Sequence, residues 1–85
     1  MARFFLDVIN GHGAIIDEEG TQVASRAELT ALIFDNIRSM VAEDARQGKI
    51  DLLGRVIVRD ASGTETEAVT FSDAFELRLP GGGMS

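Results

Sequence analysis

The side chains equipped to act on a substrate are few and scattered. His12 is the one histidine, set between Gly11 and Gly13. An imidazole on a glycine-flanked loop has the reach of a general base or a metal ligand. Asp17, Glu18 and Glu19 stand together, with Asp7 upstream, and clustered carboxylates suit a hard cation such as calcium or magnesium. Their spacing is not that of a helix–loop–helix calcium site, which alternates oxygen ligands and ends on a distal glutamate. There is no cysteine, so zinc on His12 would draw every other ligand from carboxylates. Ser25, Ser39, Ser62 and Ser72 read as cap, polar face or turn, and no nucleophile elbow surrounds them. Gly11-His12-Gly13 and Gly81-Gly82-Gly83 do not follow a strand and open a helix with a lysine, as a phosphate loop must. The residues therefore read as turns and solvated surface. No catalytic, cofactor-binding or metal-ligating set is assigned, and no cofactor is expected. A small metal- or ligand-binding site using His12 with Asp17 and Glu18 stands as a remaining alternative.

Composition narrows the classes further. Eighty-five residues make one thin core, since a chain this short buries only about 60–65% of its unfolded surface. Fourteen acidic against eight basic residues leave a net charge of −6. That argues against nucleic acid, whose binding depends on lysine and arginine displacing counterions, and favours a protein partner, a basic one in particular. No run approaches the roughly 20 apolar residues of a membrane span. Absence of cysteine and of a secretory apolar segment points to the cytoplasm.

The elements that position these residues follow from periodicity. Arg3–Ile9 alternates as a strand, with Phe4, Leu6 and Val8 on one face. Two phrases, Asp17-Glu18-Glu19-Gly20-Thr21 and Asp60-Ala61-Ser62-Gly63-Thr64, have the aspartate and glycine of a bulged type I hairpin turn. The first predicts Ile15 opposite Val23. The second predicts Arg59 opposite Glu65, Val58 opposite Thr66, Ile57 opposite Glu67 and Val56 opposite Ala68. Between them, Ser25-Arg26-Ala27-Glu28 matches a capping box, and neither glycine nor proline intervenes until Gly48. Leu29, Ile33, Phe34, Ile37, Met40, Val41 and Ala45 fall on one arc of a helix over about 26–47, with Leu32 on the polar side. Ser72–Leu77 could cap one further helical turn.

The fold expected is α+β and two-layered. One long amphipathic helix packs on a three- to four-stranded, mainly antiparallel sheet, in the order strand, hairpin, helix, hairpin. Residues 1–78 form the domain, and 79–85 a flexible glycine-rich tail. One helix covers one sheet face. The predicted register leaves Phe5, Ile9, Ile57, Val69 and Phe71 on the other, an unusual exposure for a monomer. These five are the candidate interface with a second copy or another protein. Alternatively, the first hairpin or the segment around Phe75 and Leu77 folds over them.

Arg3-Phe4-Phe5-Leu6-Asp7, Asp17-Glu18-Glu19-Gly20, the alanine- and glutamate-containing helix, Val58-Arg59-Asp60-Ala61-Ser62-Gly63 and Phe71-Ser72-Asp73-Ala74 together carry a resemblance. In their order and spacing the chain resembles a family of small bacterial proteins, common in alphaproteobacteria and catalogued only as a domain of unknown function. The resemblance implies a fold and a bacterial cytoplasm. The architecture is also similar to that of HicB-type antitoxins, with a strand and glycine-containing turn before a capped helix. The expected function is a non-catalytic protein–protein interaction module forming a homodimer. The alternative is an antitoxin-like regulator that sequesters a protein partner.

Overall fold

Residues 1–81 are described by a computed structural model. The alternating N-terminal segment forms β1 (Ala2–Asn10), the longest strand. Its partners are β4 (Arg55–Arg59) on one side, itself paired with β5 (Glu65–Thr70), and β2 (Gly13–Ile15) and β3 (Thr21–Val23) on the other. All pairings are antiparallel. The one α-helix among the described residues, α1 (Arg26–Arg46), lies across one face of this open sheet, and a 3₁₀ turn over Phe71–Ala74 closes the end nearest β5. This is the expected two-layer α+β arrangement.

The helix starts and stops where local chemistry dictates. Ser25 Oγ accepts from the Glu28 N–H, and Glu28 Oε1 accepts in turn from the Ala24 N–H, 3.1 Å each. At the far end Gly48 takes φ = 89°. Gly48 and Lys49 then donate to the carbonyls of Ala45 and Asp44, the paired bonds of a Schellman motif. Leu29, Ile33, Ile37 and Val41 are buried against Val23, Val56, Val58 and Phe71. Each such side chain contributes about 1.5–3 kcal/mol by leaving water. Leu32 is half-buried against the same cluster, so it is a contact, while Ala45 is exposed in the last turn.

Three expectations are corrected. The first Asp-x-x-Gly-Thr phrase closes no hairpin. Ile15 lies opposite Val8, and Val23 opposite Ala2; β2 and β3 follow one another along a single edge of β1, joined by an arch over residues 16–20. Pairing both short strands to β1 satisfies far more of that long edge's backbone donors and acceptors than pairing them to each other. In the second hairpin Arg59 faces Glu65 as expected, but a bulge then shifts the register by one. Val58 faces Glu67, Ile57 faces Ala68, and Val56 faces Val69. The shift carries Val69 to the helix side, where it packs on the core. It also brings Glu67 to the Arg26 guanidinium in an ion pair. The third correction is the last helical turn, which starts at Phe71, with the Asp73 carboxylate accepting from the Thr70 N–H (3.0 Å). Of the glycine-rich tail, residues 82–85 lie outside the described residues.

Candidate functional site

The sheet face turned away from α1 is built by alternation. Arg3, Phe5, Asp7 and Ile9 project from β1, Arg55, Ile57 and Arg59 from β4, and Ala68 and Thr70 from β5, as the register requires. Three of the five candidate interface residues are therefore here: Phe5 and Ile9 half-buried, and Ile57 buried at 8% exposure. The other two are not. Phe71 is 4% exposed inside the core and Val69 packs beside it, because the bulge in β5 reverses the face of every residue after Thr66. Phe75 also packs on the helix-side core, so it does not cover the open face.

At the centre of that face lies a charged network that periodicity did not reveal. Asp7 is 6% exposed. Arg59 grips it with both arms of its guanidinium, Nε to Oδ2 at 2.6 Å and Nη2 to Oδ1 at 2.9 Å. The Asp17 N–H donates to Asp7 Oδ1 (2.9 Å), and Arg59 Nη2 also donates to the Asp17 carbonyl (3.0 Å). Arg59 further stacks on the Phe5 ring, 5.0 Å from its centroid. Arg3 Nη1 holds the Glu19 carbonyl at 2.6 Å. Two arginines of the open face thus tie down the 16–20 arch, which folds onto part of that face.

Asp17 anchors the arch from within. Its Oδ1 accepts from Glu19 and Gly20, and its Oδ2 accepts from the Leu6 N–H at 3.0 Å. Leu6 sits in the gap between the β2 and β3 pairings, so this carboxylate stands where a strand partner is missing. Gly20 is required at the bend: it takes φ = 73°, and a Cβ there would lie 2.9 Å from the Phe5 ring and 3.0 Å from the Phe4 carbonyl.

The electrostatics follow from the donors. The Arg59 guanidinium beside Asp7 holds its carboxyl below the ordinary carboxylate value, against the upward push of burial. Burial pushes the Asp17 carboxyl up, but the N–H groups of Gly20, Leu6 and Glu19 together outweigh it and hold the group low. Asp7 in turn raises Arg59. These carboxylates are fixed anions that organise backbone, and their lone pairs are committed to donors of the chain itself.

His12 lies elsewhere. It lines a cleft of about 230 Å³ with Asn10, Met40, Asp44 and Asp51, whereas Asp17 and Glu18 line the arch beside Leu6. The structure does not bring His12, Asp17 and Glu18 into one site. Among the described residues no group of three or more histidine or acidic side chains is placed to hold a metal ion, and no helix is long and apolar enough to cross a membrane. The sequence signal for the network was Asp7 itself, an acid on a strand otherwise rich in large apolar residues. Its partners stand ten and 52 residues away along the chain.

No curated protein and no solved structure matches this chain. A family model does, over residues 3–72, which takes in β1 through the start of the 3₁₀ turn and hence the whole Asp7–Arg59–Asp17 network. The chain belongs to the family described as a domain of unknown function, DUF6894.

Proposed function

We propose that this protein is a non-catalytic interaction module that self-associates through the sheet face opposite α1. The observation that carries the reading is the one-sided cover of the sheet: α1 packs on one face only. On the other, Phe5 and Ile9 remain half-buried beside exposed Arg55 and Ala68, with no second layer of helix or strand over them among the described residues. The Phe5 ring and the branched chains of Ile9 and Ile57, set around an already paired Asp7–Arg59 centre, make a surface that gains by excluding water. The Asp7–Arg59 pair holds Phe5 in place, so the patch is rigid before any partner arrives.

Sedimentation velocity over a micromolar range tests this reading, with a concentration-dependent dimer as the expected result. Ala68→Glu places a charge on the exposed edge strand without removing core packing, and it is expected to abolish the dimer while the monomer stays folded by circular dichroism. Phe5→Glu is expected to do the same at some cost in stability. A wild-type chain that stays monomeric at high micromolar concentration overturns the homodimer.

A second reading, which the net charge of −6 favours, is an antitoxin-like regulator that holds a basic protein on the acidic remainder of the surface, away from the arginines of the open face. Co-purification of a basic partner with the wild type, retained in Ala68→Glu, would select it over self-association.

A further inference from the structure

Asn10 ends β1 and Gly11 begins the short turn into β2, with Asn10 opposite Gly13. Three features of this turn bear on a reaction that needs no enzyme. The His12 N–H donates to Asn10 Oδ1 at 2.8 Å. That bond folds the amide side chain back over the turn and draws electron density from its carbonyl carbon. No backbone acceptor takes up the Gly11 N–H among the turn and loop hydrogen bonds of the described residues. Gly11 is also exposed, with no side chain to shield that nitrogen.

We propose that Asn10–Gly11 is a site of spontaneous covalent modification, at which Asn10 is converted through a cyclic imide to aspartate and isoaspartate. The Gly11 amide nitrogen gives up its proton to solvent base and attacks Asn10 Cγ. A Gly11 N–Cγ bond forms, the Cγ–Nδ2 bond breaks, and the side-chain nitrogen takes a proton and leaves as ammonia. Water then opens the ring. Cleavage of the new N–Cγ bond leaves aspartate, while cleavage of the original peptide bond leaves isoaspartate, with the main chain rerouted through Cγ. One water is consumed, one ammonia is released, and nothing is oxidised or reduced. The other asparagine, Asn36, is a contrast within the chain: it lies inside α1, where the next backbone nitrogen is committed to the helix ladder.

The products matter to the structure around them. Either one puts a new carboxylate into the cleft that Asn10 and His12 share with Asp44 and Asp51, where like charges repel. Isoaspartate also adds a methylene to the main chain between β1 and β2, which breaks the Asn10–Gly13 register and loosens β2.

Incubation of the full chain at neutral and at mildly alkaline pH tests the proposal, read by intact mass, peptide mapping and an isoaspartate methylation assay. The expected result is one added acid group, mapped to residue 10 with both products present, faster at the higher pH, with Asn36 unchanged. Gly11→Ala is the informative variant. Gly11 is not in the left-handed region, and a Cβ there meets only Asp51 Oδ2 at 3.5 Å, an ordinary contact. The fold should therefore stand while conversion slows by about tenfold, because a Cβ restricts the backbone rotation that ring closure needs. Survival of the Asn10 amide, conversion at Asn36 instead, or an unchanged rate in Gly11→Ala would each overturn it.

Discussion

The phrase Asp-x-x-Gly-Thr occurs twice in this chain and folds two ways. At Asp60–Thr64 it closes the β4–β5 hairpin. The Asp60 N–H donates to the Thr64 carbonyl, the Gly63 N–H donates to the Asp60 carbonyl, and Asp60 Oδ1 accepts from the N–H groups of Ser62 and Thr64. At Asp17–Thr21 it spans an arch between two strands that never pair with each other. The local part is shared: an aspartate carboxylate collects the following N–H groups and a glycine turns with positive φ. The difference is the long-range donor. Asp17 takes the Leu6 N–H and is itself held by Asp7 and Arg59, whereas the bonds to the Asp60 carboxylate stay within its own turn. A turn phrase specifies its own bend. Whether the flanking segments meet depends on what else competes for their backbone groups.

The contrast can be broken most directly at Asp7. Asp7→Ala leaves Arg59 without its carboxylate and the Asp17 N–H without an acceptor in a largely buried spot. A fall in Tm of roughly 10 °C or more is expected. Amide exchange should show the 16–20 arch opening while the 60–64 turn keeps its protection, and equal loss at both phrases would contradict the distinction.

The two glycines sharpen it next. Gly63 has φ = 88°, and a Cβ there would find nothing within 4 Å, so Gly63→Ala meets only backbone strain, about 1 kcal/mol. Gly20→Ala meets the same strain plus the Phe5 ring and the Phe4 carbonyl, for a total of about 3 kcal/mol. Chemical denaturation of both variants checks the ordering, and equal costs would mean that the arch adjusts freely.

Acid is the mildest probe. The carboxyls of Asp7 and Asp17 have folded values below their ordinary 3.8. Their contribution is therefore complete above the ordinary value and is lost as pH falls through the lower folded values. Acid unfolding monitored by circular dichroism should have a shallower limb in Asp17→Asn. Asp60 is also held low, by the Ser62 hydroxyl first, but its hydrogen bonds lie in an exposed turn and reach no other element, so Asp60→Asn should move the limb less. A larger shift in Asp60→Asn would reverse the assignment of the two phrases.

Legibility in the sequence tracked the range of the interaction. The helix was readable almost to the residue, since its cap, its apolar arc and its glycine stop all act within one or two turns. The Arg59–Glu65 pairing was readable for the same reason. The bulge at Thr66 was not: what favours it is Val69 reaching the core and Glu67 reaching Arg26 on a different element. That one-residue slip is why two of the five expected interface residues, Val69 and Phe71, turned out to be core. The candidate surface kept Phe5, Ile9 and Ile57, whose faces depend only on alternation within β1 and β4.

The amino-acid sequence by itself determined the α+β class, the helix and both of its ends, the bend at each Asp-x-x-Gly-Thr phrase and the alternation that puts Phe5 and Phe4 on opposite faces. All of these rest on hydrogen bonds and dihedral preferences spanning a few residues. Tertiary structure alone decided that β2 and β3 share one edge of β1, that β5 slips by a residue, and that Asp7, Arg59 and Asp17 meet over the open face. Those outcomes depend on which distant backbone and charged groups find partners as water is excluded, and a burial cost summed over the whole sheet is not written in any local stretch of chain.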